Sequence, residues 1–344
     1  MNKPHIAQGI RPASYFLSIA LIVGLFSSTA LLNGAQRIRL GTLAPKGSSY
    51  YNELNKMGRE WTKATKGKVS LTIYPDGRMG GEAQMVRRMR VGQLQGGFLS
   101  AVGLSEIEPA VSGLQDLPLM FDSLDEVDHI GIKLQPLLDK KLEKKGFKVL
   151  FWVNAGWVHF FTKKPVSTPD DLRKLKIFTW AGSPEAVDIY KHARFTPIPL
   201  ETKDILPGLQ TGLISAVPMP PLMANASQID RKAPFMLDLN WAPLVGAAVV
   251  TTKTWNRLQD DTKKEVLKIA RKQGSVIQQI GRKEASESID AMKKRGLKIQ
   301  AVTQEEMVVW KAAAEDVYPQ IKGNIVPADI FDKVNSWIQE FRAK

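Results

Sequence analysis

Apolar and polar positions along this chain follow two periods that take turns. Residues 37–44 (RIRLGTLA) alternate like a strand, and 45–49 (PKGSS) break the run into a loop. Helical spacing follows over 50–65, then a strand at 69–74, a helix at 81–91, Gly92, and an apolar strand at 97–102. The same order returns in mid-chain: strand 175–179, loop 180–184, helix 185–192, extended segment 196–200, helix 202–210, Gly212, strand 213–217. Even the closing phrases are similar, Val91-Gly92-Gln93-Leu94 against Thr211-Gly212-Leu213-Ile214. Strands alternating with helices predict α/β units with mostly parallel sheets. Two such units predict two lobes and a cleft between them, a common place for a small ligand. Farther on, Val266, Ile269, Val276, Ile277, Ile280, Ile289 and Met292 recur at helical spacing. They predict one helix over 259–295, about 50 Å long at 1.5 Å per residue, with Gly274 and Gly281 as its expected bends.

Composition changes this picture in two places. The chain has no cysteine, which excludes disulfides, thiolate zinc sites and cysteine nucleophiles. It is strongly basic, with 48 Lys and Arg against 34 Asp and Glu. Beyond residue 35 the balance is 46 to 34, a formal +12. The densest groups are Arg87-Arg88-Met89-Arg90, Lys140-Lys141 with Lys144-Lys145, and Lys293-Lys294-Arg295. They fall on helical stretches with apolar spacing and read as solvated faces, not as a nucleic-acid-binding arm. At the N-terminus, Lys3 and Arg11 precede an uncharged apolar run over 15–32, followed by small residues. That is the pattern of a secretory signal peptide, residues 1–35, cut after Ala30 or Ala35. An uncleaved N-terminal tether is the alternative, since the run is long enough to span a bilayer. A lipoprotein anchor is excluded by the missing cysteine. The mature chain is expected in the periplasm.

Catalytic and metal chemistry find no support. His5, His129, His159 and His192 are scattered, without partners at metal-ligand spacing. There is no G-x-S-x-G elbow, phosphate loop or dinucleotide fingerprint. The acid pairs Asp170-Asp171 and Glu305-Glu306 follow Thr168 and Thr303, where they suit helix N-termini better than acid–base work. No catalytic residue, metal or cofactor is assigned, and the chain is read as a non-enzyme.

Five phrases, in order, resemble the solute receptors of tripartite ATP-independent periplasmic (TRAP) transporters of the dicarboxylate-receptor-like family. Thr42-Leu43-Ala44-Pro45-Lys46-Gly47-Ser48 is similar to the first ligand loop. Ile73-Tyr74-Pro75-Asp76-Gly77-Arg78-Met79-Gly80-Gly81 and its helix, and Leu114-Gln115-Asp116-Leu117-Pro118-Leu119-Met120-Phe121, are similar to the next two. Pro169-Asp170-Asp171-Leu172-Arg173-Lys174-Leu175-Lys176-Ile177 resembles the entry to the second lobe, and Leu209-Gln210-Thr211-Gly212-Leu213-Ile214 its closing phrase. The resemblance covers roughly 37–340. It implies a two-lobed periplasmic-binding-protein-like α/β fold with a mixed sheet in each lobe, a ligand cleft and a long spine helix. The expected division is 36–158 with about 251–300 as lobe I and spine, 159–250 as lobe II, and 301–344 as C-terminal helices across both. It also implies an extracytoplasmic receptor whose partners are a small-molecule ligand and a TRAP-type permease, with closure by a hinge near 158–161 and 249–252.

The departures from the family pattern bear on the ligand. Typical members carry, after "LKI", an arginine that grips a carboxylate with its two-pronged guanidinium. Phe178 stands there in this chain. A second cationic position after "G-[FW]" is Val158, following Gly156-Trp157. Met219 replaces an asparagine, with Pro220 after it, and Trp180 and Trp241 add aromatics. Apolar ligand pockets look like this, and methionine lets one pocket fit several shapes. The expected ligand wall is therefore Phe178, Trp180, Met219, Pro220 and Trp241, with Pro45 and Trp157 beside them and Lys46 as the candidate cation. The leading expectation is capture of a small, largely apolar ligand. The alternative is a conventional organic-acid receptor in which Lys46, Arg78 or backbone amides replace the arginine; a secreted enzyme ranks below both.

Overall fold

The computed structural model describes residues 35–343. The expected export signal, 1–35, lies outside the described residues except for Ala35. The first strand–helix run forms β1 (Gln36–Thr42), α1 (Ser49–Ala64), β2 (Val69–Tyr74), α2 (Glu82–Arg90) and β3 (Gly96–Ser100). Next come α3 (Ala101–Ser105), α4 (Leu124–Lys144), the long strand β4 (Phe147–Thr162) and α5 (Pro169–Arg173). The second run is β5 (Lys176–Trp180), α6 (Pro184–His192), β6 (Thr196–Leu200), α7 (Ile205–Thr211) and β7 (Ala216–Met219). After α8 (Pro221–Ala226) and β8 (Phe235–Thr251) follow α9 (Thr252–Trp255), α10 (Asp260–Lys294) and β9 (Lys298–Ala301). The chain closes with α11 (Gln304–Glu315), α12 (Tyr318–Ile321) and α13 (Ala328–Arg342). The threonine–acid pairs are helix starts: Thr168 with Asp171 and Thr303 with Glu306 each form a capping box.

The repeat in the sequence is a repeat in space. One mixed sheet runs β2-β1-β3-β8-β4-β7-β5-β6, with β9 beside β8. β1 pairs in parallel with β2 and β3, and β5 with β6 and β7, so each run puts its first strand in the middle. Gly92 and Gly212 hold matching turns at φ 76° and 77°, a left-handed conformation that only glycine enters without cost. The last strand of the second run starts later than the expected residue 213. Gly212 ends α7, and the turn after it is held by the Ile214 amide on Gly208 and the Ser215 amide on Lys176.

Two antiparallel strands join the lobes. Residues 147–154 of β4 pair with 245–251 of β8 beside β3, and 160–162 pair with 235–237 beside β7. Between these ladders the register slips, at Asn154/Trp157 and again at Val158/Phe160. Gly156 sits there at φ 95°, so the extra residues are taken up as bulges. The crossing therefore lies at 154–160 against 237–245. The expected second hinge, 249–252, falls elsewhere: Val249 and Thr251 pair with Val149 and Phe147, inside the first lobe's ladder. The expected lobe boundary at residue 250 likewise divides a ladder that is continuous with β3.

The spine helix α10 spans 35 residues without a break. Its start is tied to the first lobe by Trp61 Nε1 donating to the Val266 carbonyl (3.0 Å), and farther along Ser49 donates to Glu284. Its end is tied to the second lobe, where Met292 joins the core of Phe161, Phe178 and Met236. Gly274 and Gly281 mark close approaches where bends were expected. A Cβ on Gly274 would lie 2.5 Å from the Phe151 ring, and one on Gly281 would strike the Tyr50 hydroxyl.

Candidate functional site

Parallel strands of an open α/β sheet present their carboxyl ends to ligands. Here the carboxyl ends of β1, β3, β5 and β7 converge on one cavity of about 560 Å³. Pro45 lines it just past β1, Ser100 at the end of β3, Phe178 and Trp180 on β5, and Met219 and Pro220 at the end of β7. Trp241 lines it from β8.

Six of the eight sequence-expected residues thus share this wall: Pro45, Phe178, Trp180, Met219, Pro220 and Trp241. Trp157 and Lys46 do not line it. Side chains alternate across a strand; Val158 faces the cavity, and Trp157 beside it packs against the core. Lys46 lies in an exposed turn, where its backbone amide donates to Asp76 Oδ1 (2.8 Å). Arg78, the other expected replacement cation, is exposed and also absent from the wall. Phe178 is fully buried and meets Trp180 edge-on, with ring centroids 4.8 Å apart. It is cavity wall and lobe core at once.

The wall's charge is one-sided. Among the described lining residues, Glu82, Glu106 and Asp116 are acidic, and none is Lys, Arg or His. Burial pushes the Glu82 carboxyl up, against hydrogen bonds donated by the Ser100 hydroxyl and by the amides of Ser100 (2.7 Å) and Gly103 (3.0 Å). Those three donors make Glu82 a brace between α2 and the end of β3. Burial also pushes Asp116 up to about 7, opposed only by a hydrogen bond to Gln115. Two buried hydroxyls on the wall, Thr179 Oγ1 and Thr202 Oγ1, have no partner. They are neutral hydroxyls buried behind the wall, with hydrogen-bonding capacity unspent.

Sequence reasoning passed over Ser100, Asp116, Thr179, Tyr190 and Trp310. Ser100 had a signal, because it ends β3 as Trp180 ends β5. Asp116 stood inside a quoted phrase but was not considered as a wall residue. Trp310 had no signal, since it arrives from α11, a helix that starts at Gln304, far beyond the end of β8 at Thr251.

Asp116 carries a pH prediction. An acid whose folded pKa is raised binds its proton more tightly in the folded state, so its contribution is present at low pH and lost as pH rises through 7. Urea titrations at pH 5 and pH 8 should show the wild type losing more stability on going to pH 8 than Asp116→Asn does. Equal losses would mean that Asp116 titrates normally.

The description "bacterial extracellular solute-binding protein, family 7" matches residues 40–324. The 2,3-diketo-L-gulonate-binding periplasmic protein of Escherichia coli is 26% identical over 292 residues, covering 84% of this chain and 88% of its own length. A TRAP periplasmic solute-binding protein of Ralstonia eutropha, solved with bound (S)-2-acetolactate, superposes with a TM-score of 0.82 at 18% identity, covering 89% of this chain and 99% of that one. A second, from Sulfurospirillum deleyianum with bound succinate, gives 0.80 at 19%, covering 88% and 99%. Such proteins are transport receptors, not enzymes; they bind small molecules and work with TRAP membrane permeases. Among the described residues no helix is long and apolar enough to cross a membrane. The chain therefore belongs to bacterial extracellular solute-binding protein family 7, the two-lobed solute receptors of TRAP transporters.

Proposed function

We propose that this receptor is exported by its N-terminal segment, captures a small organic acid with a largely apolar body, and delivers it to a TRAP-type permease. The observation that carries the reading is the cavity wall, which is mostly apolar and holds no cation among its described residues. The relatives' ligands named above are all carboxylic acids, which favours the organic-acid reading over a purely apolar ligand. Neither Lys46 nor Arg78 lines the wall, so the head is left to neutral donors; the unpartnered hydroxyls of Thr179 and Thr202, buried behind the wall, would reach it by side-chain rotation. A carboxylate held by neutral donors forgoes the strong charge-assisted pairing of a guanidinium. Apolar burial, at about 25 cal/mol per Å², must supply the affinity instead. A second carboxylate would find no counter-charge on the wall, and the cavity should reject it. Lobe closure would occur at the bulged crossing of β4 and β8.

Titration calorimetry of the full chain with phenylpropanoate and with succinate tests this. Phenylpropanoate should bind at least tenfold more tightly, and Trp180→Ala, which removes a half-buried ring from the wall, should erase most of that preference. Tighter binding of succinate would show that a cation reaches the cavity after all.

A further inference from the structure

The cavity is larger than a compact organic acid needs. Its volume of about 560 Å³ lies in the range that holds drug-sized ligands, and its wall has two parts. The strand ends form the front. The rear is made by Tyr190 and Phe195 at the end of α6, Trp310 on α11, and Val317, Ile321 and Ile325 around α12. Phe195, Trp310, Val317 and Ile321 are all buried, yet they border open space.

Polar atoms on the rear wall are already engaged. Ser112 Oγ bonds the carbonyl oxygens of Pro109 (2.6 Å) and Ile325 (2.9 Å). Asn324 Nδ2 donates to the Gln320 carbonyl (2.8 Å), and the Tyr190 hydroxyl accepts from Trp241. Asp116 is paired with Gln115, and burial keeps much of its charge off. A buried water needs two to four polar partners, and few polar atoms of this wall are left unengaged. An apolar group needs none.

We propose that this rear compartment receives the apolar end of the transported ligand, which makes that ligand a monocarboxylic acid with an extended aliphatic or aromatic body. Its head sits at the strand ends and its tail runs between α6 and the helices α11 and α12. The proposal rests on the organic-acid reading above and adds a length requirement to it.

Calorimetry with butanoate, hexanoate, octanoate and decanoate tests the length requirement on the unmodified protein. Affinity should rise about fourfold per methylene, the equivalent of roughly 0.8 kcal/mol for each buried CH₂, at least as far as octanoate. Ala313 lines the rear wall from α11. Ala313→Phe should cost decanoate at least tenfold, with a loss that shrinks as the chain shortens. Should that variant not fold, the series on the unmodified chain decides alone. Butanoate binding with a flat series, or an Ala313→Phe loss independent of length, overturns the rear compartment and leaves the organic-acid reading standing. Failure of every acid to bind removes that reading and this proposal with it.

Discussion

Phe178→Asp should not yield a folded protein. Phe178 has no exposed surface and packs with Phe161, Ile205, Leu209 and Met236 in the core of the second lobe. Removing a buried phenyl group costs about 3–5 kcal/mol. Leaving an unpaired carboxylate in its place costs several more, and the sum is comparable to the whole stability of a typical domain, about 5–15 kcal/mol. Circular dichroism and a thermal scan should show a lost or sharply lowered transition. A variant that melts like the wild type would place Phe178 outside the core. Phe178 is therefore more than a piece of cavity wall: its phenyl ring is built into the core of the lobe. Affinity at this wall is better tested at the half-buried Trp180.

The second large effect is at the far end of the spine. Arg295 caps α10 and donates from Nε and a terminal nitrogen to both oxygens of Asp230, at 2.8 and 2.9 Å, while reaching Asn225 at 2.7 Å. Asp230 is almost fully buried and Arg295 partly exposed. The pairing raises the guanidinium's pKa, mainly through the hydrogen bonds to Asp230. Arg295→Ala strands the buried carboxylate, which typically costs about 3–5 kcal/mol; the exposure of Arg295 argues for the lower end. Adding Asp230→Asn should recover part of the loss, because the stranded group no longer carries charge. Urea unfolding of the two variants checks both steps. Equal stability of Arg295→Ala and wild type would mean that the spine does not need this tie.

The two strand–helix runs were legible because their punctuation survives. Gly92 and Gly212 sit at corresponding turns, and each run keeps its first strand central in the sheet. The spine was legible for the same reason, a single period sustained over 35 residues. The shared strands β4 and β8 were not. Bulges at Asn154–Phe160 break the alternation that identifies a strand, so the crossing was expected several residues away. Of the wall, residues at strand ends could be found because the repeat shows where strands end. The rear could not, since Tyr190, Trp310 and Ile321 meet only through the packing of helices far apart in sequence. Lys46 shows the limit of matching a phrase: a place in the first loop does not by itself put a residue on the cavity wall, which Lys46 does not line.

Mass spectrometry of the purified mature protein, first native and then after organic extraction, tests the central claim most directly. The cavity described here predicts a co-purifying monocarboxylic acid with an extended apolar body, released on denaturation. A retained dicarboxylate or sugar acid would contradict it, and would mean that a cation from outside the described wall closes over the ligand.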